Sequence, residues 1–429
     1  MAAVSAAFVM LICVQSLDVS AVGKPHSVTE NGVGPGYHRP RLMPRNNQAL
    51  IQKKLQSIVD NEGLPQALEE LQSYGYSSGY LKPKAHTGNP VTSFKIEGYD
   101  LDFRYQINLL RSNYVPKYGR AGNCPICWDV VESFHKPGLR AYGLELNGRK
   151  WFLQNPPFPY TYGHVVMIEK THGRRMAVRE GTLKDGLAYL DLDPEATFCS
   201  NSSYYWSSAS IPEHQHYQII HERISGGGKL PVVMAKPKQG YCEESDGVKR
   251  SILNYPLPVI RLQSQDKKQL AKYAWGMIQR WEAILPGRNS VNLYMRKEGE
   301  NYKVWILYRS TNFRNPKRLK NLKSENLGYL EVGGEFILPV TKDPEMKERR
   351  DKNPAPLFER FFKSVNPLLG IENEILQKLL TQPLPTEEER KILREKNQLL
   401  KRVKPGSELP FSQVKQRSRR SQRNKKLGA

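Results

Sequence analysis

Between Ala49 and Tyr74 the apolar residues Leu50, Ile51, Leu55, Ile58, Leu64, Leu68 and Leu71 recur at helical spacing. The pattern predicts one long helix, or two broken at Gly63 and Pro65. From Phe94 the rhythm changes to short alternating runs set apart by turn residues, which predicts strands over 139–145, 150–154, 164–169, 204–209 and 217–222. Most of this region therefore reads as antiparallel sheet. The order recurs further on: a strand over 257–262, a helix over 267–284, and strands over 290–296 and 302–308 joined by the turn Lys297-Glu-Gly-Glu-Asn301. Two similar α+β units in tandem are expected. A helical stretch follows, interrupted at Pro383 and Pro385, with 387–400 as its last helix.

These changes divide the 429 residues into a leader (1–48), a helical segment (49–93), a first sheet-rich half (94–245), a second half (246–340), a helical extension (341–400) and a basic tail (401–429). A composition of 39% hydrophobic and 25% charged residues excludes a fibre, a small disulfide scaffold and a wholly disordered chain. Charge is the unusual quantity. Sixty-five Lys and Arg against 42 Asp and Glu leave a net +23, which calls for an anionic partner: a nucleic acid, an anionic membrane or a phosphorylated small molecule. Its distribution narrows the choice. Residues 401–429 hold ten basic residues and one acidic residue, Glu408, with no apolar periodicity, so +9 belongs to a tail expected to be disordered. That tail reads as a solvated end, a targeting signal, or a contact for nucleic acid or an anionic surface.

The five cysteines, at 13, 124, 127, 199 and 242, are odd in number and scattered. That argues for a reduced compartment or a metal site rather than an extracellular disulfide framework, and points to the cytoplasm. In the other direction, the first 17 residues carry no charged side chain and are followed by Ser20 and Ala21, as in a secretory signal peptide. The secretory pathway stays open as the alternative. No later window has 18 uncharged apolar residues, so no further membrane-spanning helix is expected.

Three segments carry candidate chemistry. Asn123-Cys-Pro-Ile-Cys127 is a CxxC pair, suited to redox exchange or to half of a zinc site. Asn155-Pro-Pro-Phe-Pro-Tyr-Thr-Tyr-Gly-His164 is a polar, Pro-rich turn entering an apolar strand, with His172 shortly beyond it. Ser210-Ile-Pro-Glu-His214-Gln-His216-Tyr-Gln218 enters a second apolar strand. On a strand His214, His216 and Gln218 share one face. Three polar groups on one side of an apolar strand need partners there, and a metal or a phosphate would supply them.

Taken in order, CPxC, NPxP with a GH ahead of an apolar strand, a further His, and HxHxQ resemble the histidine triad superfamily. The resemblance is to its transferase branch, which holds galactose-1-phosphate uridylyltransferase, diadenosine tetraphosphate phosphorylase and the GDP-hexose phosphorylases. It is clear over about 123–221 and fainter over the second half, where Asn326-Leu-Gly-Tyr-Leu-Glu-Val-Gly-Gly-Glu-Phe-Ile-Leu-Pro339 looks like the strand that closes a duplicated fold. The fold implied is α+β: a duplicated histidine-triad-like antiparallel sheet with flanking helices, a helical C-terminal extension and a disordered basic tail.

The resemblance implies that His216 is the nucleophile, attacking the α-phosphorus of a nucleotide and holding it covalently. Gln218 would hydrogen-bond the phosphoryl oxygens, and its presence where the hydrolases have a third His implies transfer rather than hydrolysis. Cys124, Cys127, His172 and His214 would bind a structural Zn2+. Asn155 would approach the nucleotide, and Ser210 would donate to the phosphate. The family has two residues between that Ser and the first His, whereas three separate Ser210 from His214, so Ser208 or a backbone N–H is the alternative. His164 is expected to be structural rather than catalytic. Arg174, Arg309 and Arg314 are the expected phosphate-gripping cations.

The activity implied is nucleotidyl transfer or phosphorolysis on a nucleoside diphosphate sugar or a dinucleoside polyphosphate, with phosphate or a sugar phosphate as acceptor and a homodimer as the assembly. Two other readings are weighed against it. One is a nucleotide hydrolase acting on nucleic-acid ends held by the basic tail; the other is an inactive nucleotide-binding protein.

Overall fold

The protein is described from a computed structural model covering residues 47–81, 91–108, 124–132, 138–173, 176–201, 211, 213–221, 229–284, 286–310, 327–338, 344–366, 372–381 and 388. Residues 1–46 of the expected leader (1–48), the strand over 204–209, the last helix over 387–400 apart from Glu388, and the tail over 401–429 lie outside the described residues.

The chain enters through two helices, α1 (Gln48–Glu62) and α2 (Leu64–Ser77). Gly63 separates them at φ +92°, a left-handed conformation that suits glycine, and Pro65 supplies the fixed φ of the new helix's first turn. Of the two forms the spacing allowed, the break is the one adopted. Short strands β1 (Val91–Phe94) and β2 (Phe103–Ile107) follow, then the five-residue helix α3 (Trp128–Glu132).

The first half then runs β3 (Tyr142–Leu146), β4 (Arg149–Gln154), β5 (His164–Glu169), helix α4 (Glu180–Leu192), β6 (Ala196–Ser200) and β7 (His216–His221). After the single turn α5 (Pro231–Met234), the second half repeats the sequence of elements as β8 (Pro237–Ser245), β9 (Val248–Leu253), β10 (Val259–Ser264), helix α6 (Lys267–Ile284), β11 (Asn289–Glu298) and β12 (Asn301–Ser310). Among the described residues, all nine strand pairings of this sheet are antiparallel, and they join ten strands in the order β3-β4-β5-β7-β6-β11-β12-β10-β9-β8. Each half has the order first-second-third-fifth-fourth, and the two fourth strands, β6 and β11, pair across the centre. The tandem repeat is thus a duplication in topology.

The closing segment behaves differently from the expectation. Tyr329–Val332 forms a one-turn helix, α7, and Glu335–Leu338 forms β13. β13 does not join the large sheet; it pairs in parallel with β2 in a separate three-stranded sheet with β1. Three further helices, Pro344–Lys352, Pro354–Val365 and Glu372–Thr381, complete the described chain. No described helix is long and apolar enough to cross a membrane.

Alternation along the strands sends side chains to two cores. One lies between the sheet and α4, α6 and the first two helices, and holds Trp151, Phe198, Tyr217, Ile219, Leu293 and Ile306. The other lies under the three-stranded sheet and the helix Pro354–Val365, and is aromatic: Phe103, Tyr294, Trp305, Phe336, Phe358 and Phe362. His216 and Gln218 lie on this second side of the sheet.

α1 also closes an open sheet edge. Gln48 Nε2 donates to the Ala141 carbonyl at 2.6 Å while its Oε1 accepts from Ala141 N–H at 3.0 Å. Gln52 does the same to Gly143, at 3.0 and 2.6 Å. Two carboxamides one helical turn apart thus take the place of a neighbouring strand, which keeps the β3 edge from pairing with another chain.

Candidate active site

The site is built where β5 and β7 run side by side. Their register sets Ile168 opposite His216 and Val166 opposite Gln218, so these four side chains share one face. Gln215 and Tyr217 point the other way, and both are tied down there. Gln215 Oε1 accepts from Arg179 Nη1 at 2.7 Å and Tyr217 O–H donates to Thr182 Oγ1 at 2.6 Å. The HxHxQ strand is therefore fixed through its back before any ligand meets its front.

At the start of this strand four separated residues converge. The ligand atoms of Cys124, Cys127, His172 and His214 all lie within 4.8 Å of one another, and these residues could hold a metal ion. Cys124 Sγ is 3.4 Å and Cys127 Sγ 3.7 Å from His214 Nδ1, and Cys127 Sγ is 3.0 Å from His172 Nδ1. The CxxC turn delivers both sulfurs, because Cys127 N–H bonds back to the Cys124 carbonyl immediately before α3. His172 comes from the turn after β5 and is the exposed member, whereas Cys124 and His214 are buried.

The orientation of His214 is set from behind. Its Nε2 lies 2.7 Å from the Glu169 main-chain carbonyl, which can only accept, so Nε2 carries the proton and Nδ1 turns its lone pair to the thiols. Burial lowers the His214 pKa to about 4, a further reason for a neutral ring. Burial and the neighbouring Cys124 push the Cys127 thiol up to about 12. A cation among the four would reverse that preference, since a coordinated thiol gives up its proton.

Two residues on, His216 is only 4% exposed and burial lowers its pKa, which favours the neutral ring. Its Nδ1 sits 2.8 Å from the His214 carbonyl, so Nδ1 is the protonated nitrogen and Nε2 keeps its lone pair. Gln218 follows on the same face and is the one residue of β7 that is not buried. Its Oε1 lies 2.7 Å from His164 Nε2.

The remaining expected residues fall into two groups. Asn155 is buried, and its Nδ2 donates to the His164 carbonyl at 3.4 Å, so it braces the turn that leads into β5. Arg309, expected beside a polyphosphate, lies inside the protein at 2% exposure. Its Nη1 donates to Asn292 Oδ1 at 2.7 Å and to the Leu327 carbonyl at 3.1 Å. Alternation on β12 turns it inward, where it ties the closing segment to the sheet. Ser210, Arg174 and Arg314 lie outside the described residues.

No family profile matches the chain. Among curated proteins it is similar to galactose-1-phosphate uridylyltransferase 1 of Streptococcus pneumoniae, 27% identical over 323 residues that make up 66% of this chain and 63% of that protein. It is also similar to the galactose-1-phosphate uridylyltransferase of Clostridium acetobutylicum, 26% identical over 366 residues, covering 75% of this chain and 71% of that one. The chain thus spans less than two thirds of the Streptococcus protein's length. Among solved structures, the crystal structure of yeast Ap4A phosphorylase in complex with Ap4A is similar with a TM-score of 0.50 at 16% identity, covering 72% of this chain and 98% of that one. That likeness shows a shared fold. Together these likenesses support a histidine-triad-like transferase family.

Only the first half keeps the histidine-triad-like motif. Cross-strand pairing makes one row of Val166, Gln218, Cys199, Tyr294 and Trp305, so Trp305 of β12 occupies the place across the duplication that Gln218 occupies on β7. β12 carries no histidine. Trp305 is fully buried in the aromatic core, which fills the second half where the first half stays open at Gln218.

His164, expected to be structural, meets Gln218, a partner 54 residues away that only the register of β5 on β7 brings to it.

Proposed function

We propose that the chain is a nucleotidyltransferase or phosphorylase that works through a covalent nucleotidyl-histidine on His216. The observation that carries this is the fixed tautomer of His216: with Nδ1 committed to the His214 carbonyl, Nε2 keeps its lone pair, on the strand face that also carries Gln218. Nε2 attacks the α-phosphorus of a nucleoside diphosphate sugar or a dinucleoside polyphosphate, and the bond from that phosphorus to its bridging oxygen breaks. The sugar phosphate or nucleoside polyphosphate leaves. An oxygen of the acceptor, inorganic phosphate or a sugar phosphate, then attacks the same phosphorus and the P–N bond breaks, returning the neutral ring. Two displacements through an intermediate replace one harder step. The named relatives, uridylyltransferases and an Ap4A phosphorylase, support this class of reaction.

Zinc fits the four-residue cluster. Two thiolates and two imidazoles form a closed tetrahedral set, in which sulfur and nitrogen sit about 3.6 Å apart for zinc's usual bond lengths. The observed 3.0, 3.4 and 3.7 Å bracket that spacing. Bound there, zinc would hold the strand that carries His216, while substrate chemistry stays with His216 and Gln218. Cytoplasmic placement, the homodimer and an anionic partner for the basic tail rest on the sequence alone.

Isotope exchange tests the reaction class. With a covalent intermediate, labelled sugar 1-phosphate exchanges into its nucleoside diphosphate sugar with no second acceptor present. Exchange that needs the second acceptor would overturn the proposal.

A further inference from the structure

The amide of Gln218 can face a phosphoryl group with either its NH2 or its oxygen, and only the first is useful. We propose that His164 is a positioning residue that fixes this choice, holding the Gln218 oxygen so that its NH2 faces the transferred phosphoryl group. The inference rests on the nucleotidyl-histidine reading and concerns how that site is set.

The argument runs through one chain of donors. The main-chain N–H of Tyr160 points at His164 Nδ1 from 3.3 Å and can only donate, so Nδ1 accepts. In a neutral ring the proton then sits on Nε2, which lies 2.7 Å from Gln218 Oε1. A carboxamide whose oxygen is held on one side presents its NH2 on the other. Released from His164, the amide could rotate and turn its oxygen lone pairs toward an anionic phosphoryl group, losing a charge-assisted hydrogen bond and adding repulsion.

His164 is itself held on several sides. Its ring stacks on Tyr160, with centroids 4.9 Å apart and planes at 25°. Gly163, at φ +76°, makes the turn that presents it, and the Gly163 N–H donates to Gln72 Oε1 of α2 at 3.0 Å. From the second half, the Tyr329 hydroxyl lies 3.5 Å from His164 Nε2. Tyr329 is anchored by its own main chain, whose N–H donates to Asn201 Oδ1 at 2.8 Å and whose carbonyl accepts from Tyr294 O–H at 2.6 Å. The second half, which carries no reactive histidine on β12, thereby supplies a support for the first half's site.

A double-mutant cycle on the full chain tests this. The readout is the single-turnover rate of protein labelling from UDP-glucose, GDP-glucose and diadenosine tetraphosphate, each labelled at the α-phosphate. His164→Leu is expected to slow labelling about 10- to 100-fold, the worth of one hydrogen bond to a charged group, with half-saturation moved less than about threefold. His164→Gln, which places an N–H near the Nε2 position, recovers most of that loss. In a Gln218→Ala background His164→Leu costs no more than about twofold, because the residue it acts through is gone. An equal loss in both backgrounds, or no recovery in His164→Gln, overturns the proposal. Should His164→Leu not fold, His164→Asn, whose amide is too short to reach Gln218, replaces it with the same expected and contrary results. If the wild-type chain takes label from none of the three probes, the nucleotidyl-histidine reading fails first and this inference falls with it.

Discussion

The Nδ1–H of His216 donates to the main-chain carbonyl of His214 across 2.8 Å, so the ring proposed to attack phosphorus takes its tautomer from a residue of the Cys/His cluster that could hold a metal ion. His214 is in turn held by the Glu169 carbonyl behind it. His216 and the Cys/His cluster are therefore one mechanical unit, with the single residue Gln215 between His214 and His216.

Metal removal tests that unit. Zinc measured by elemental analysis is expected at about one per chain, falling to near zero in Cys127→Ser, with a melting temperature several degrees lower. Labelling of His216 should slow in the same variant, because the His214 carbonyl is no longer fixed. A fully active wild-type chain without zinc would contradict this.

The glutamines of α1 make a stability prediction independent of chemistry. Gln48→Ala and Gln52→Ala each leave one N–H and one carbonyl of the β3 edge without the side-chain partner they have now. Each is expected to cost about 1–3 kcal/mol in denaturant unfolding. The double variant should also associate on size-exclusion chromatography, since an uncovered edge strand pairs with other chains.

Asp191 predicts a pH dependence. It sits at the end of α4 and accepts from Lys267, from Tyr302 O–H, and from Lys297 at 3.3 Å, joining the two halves. Burial alone would raise its pKa, but the bonds from Lys267, Tyr302 and Lys297 outweigh it and hold the carboxyl below its usual range. A folded-state pKa below the unfolded one adds stability above the unfolded value, and that stability is lost as pH falls through the folded value. Asp191→Asn should therefore destabilise by about 1 kcal/mol at pH 7, and the difference should shrink toward zero below about pH 4. A difference that stays constant with pH would contradict the assignment.

Much of this was legible because strand and helix periodicities are local. Lys267–Ile284 is a helix as its spacing predicts, and His164–Glu169 is a strand over the predicted span. The convergence of Cys124, Cys127, His172 and His214 was implied by the family resemblance; the residues alone left the CxxC open between a redox pair and half of a metal site. Contacts between distant residues were not. The alternating pattern ends its strand at residue 308 and leaves Arg309 to the loop beyond, whereas β12 runs on to Ser310 and turns Arg309 inward toward Asn292. Likewise nothing near Glu335–Leu338 shows that its partner is β2, more than 200 residues earlier, rather than a strand of the large sheet. α4 is an addition to the expected elements, although Leu183, Leu187 and Leu190 have helical spacing and are buried on one face of it.

The central claim is a covalent bond between a nucleotide and His216. Incubation of the purified chain with a nucleotide substrate labelled at the α-phosphate, followed by denaturation, should leave label on the protein that is stable in alkali and released by acid, as a phosphorus–nitrogen bond requires. His216→Asn, folded as judged by its melting curve, should retain none. Label that persists in His216→Asn at the wild-type level would contradict the account.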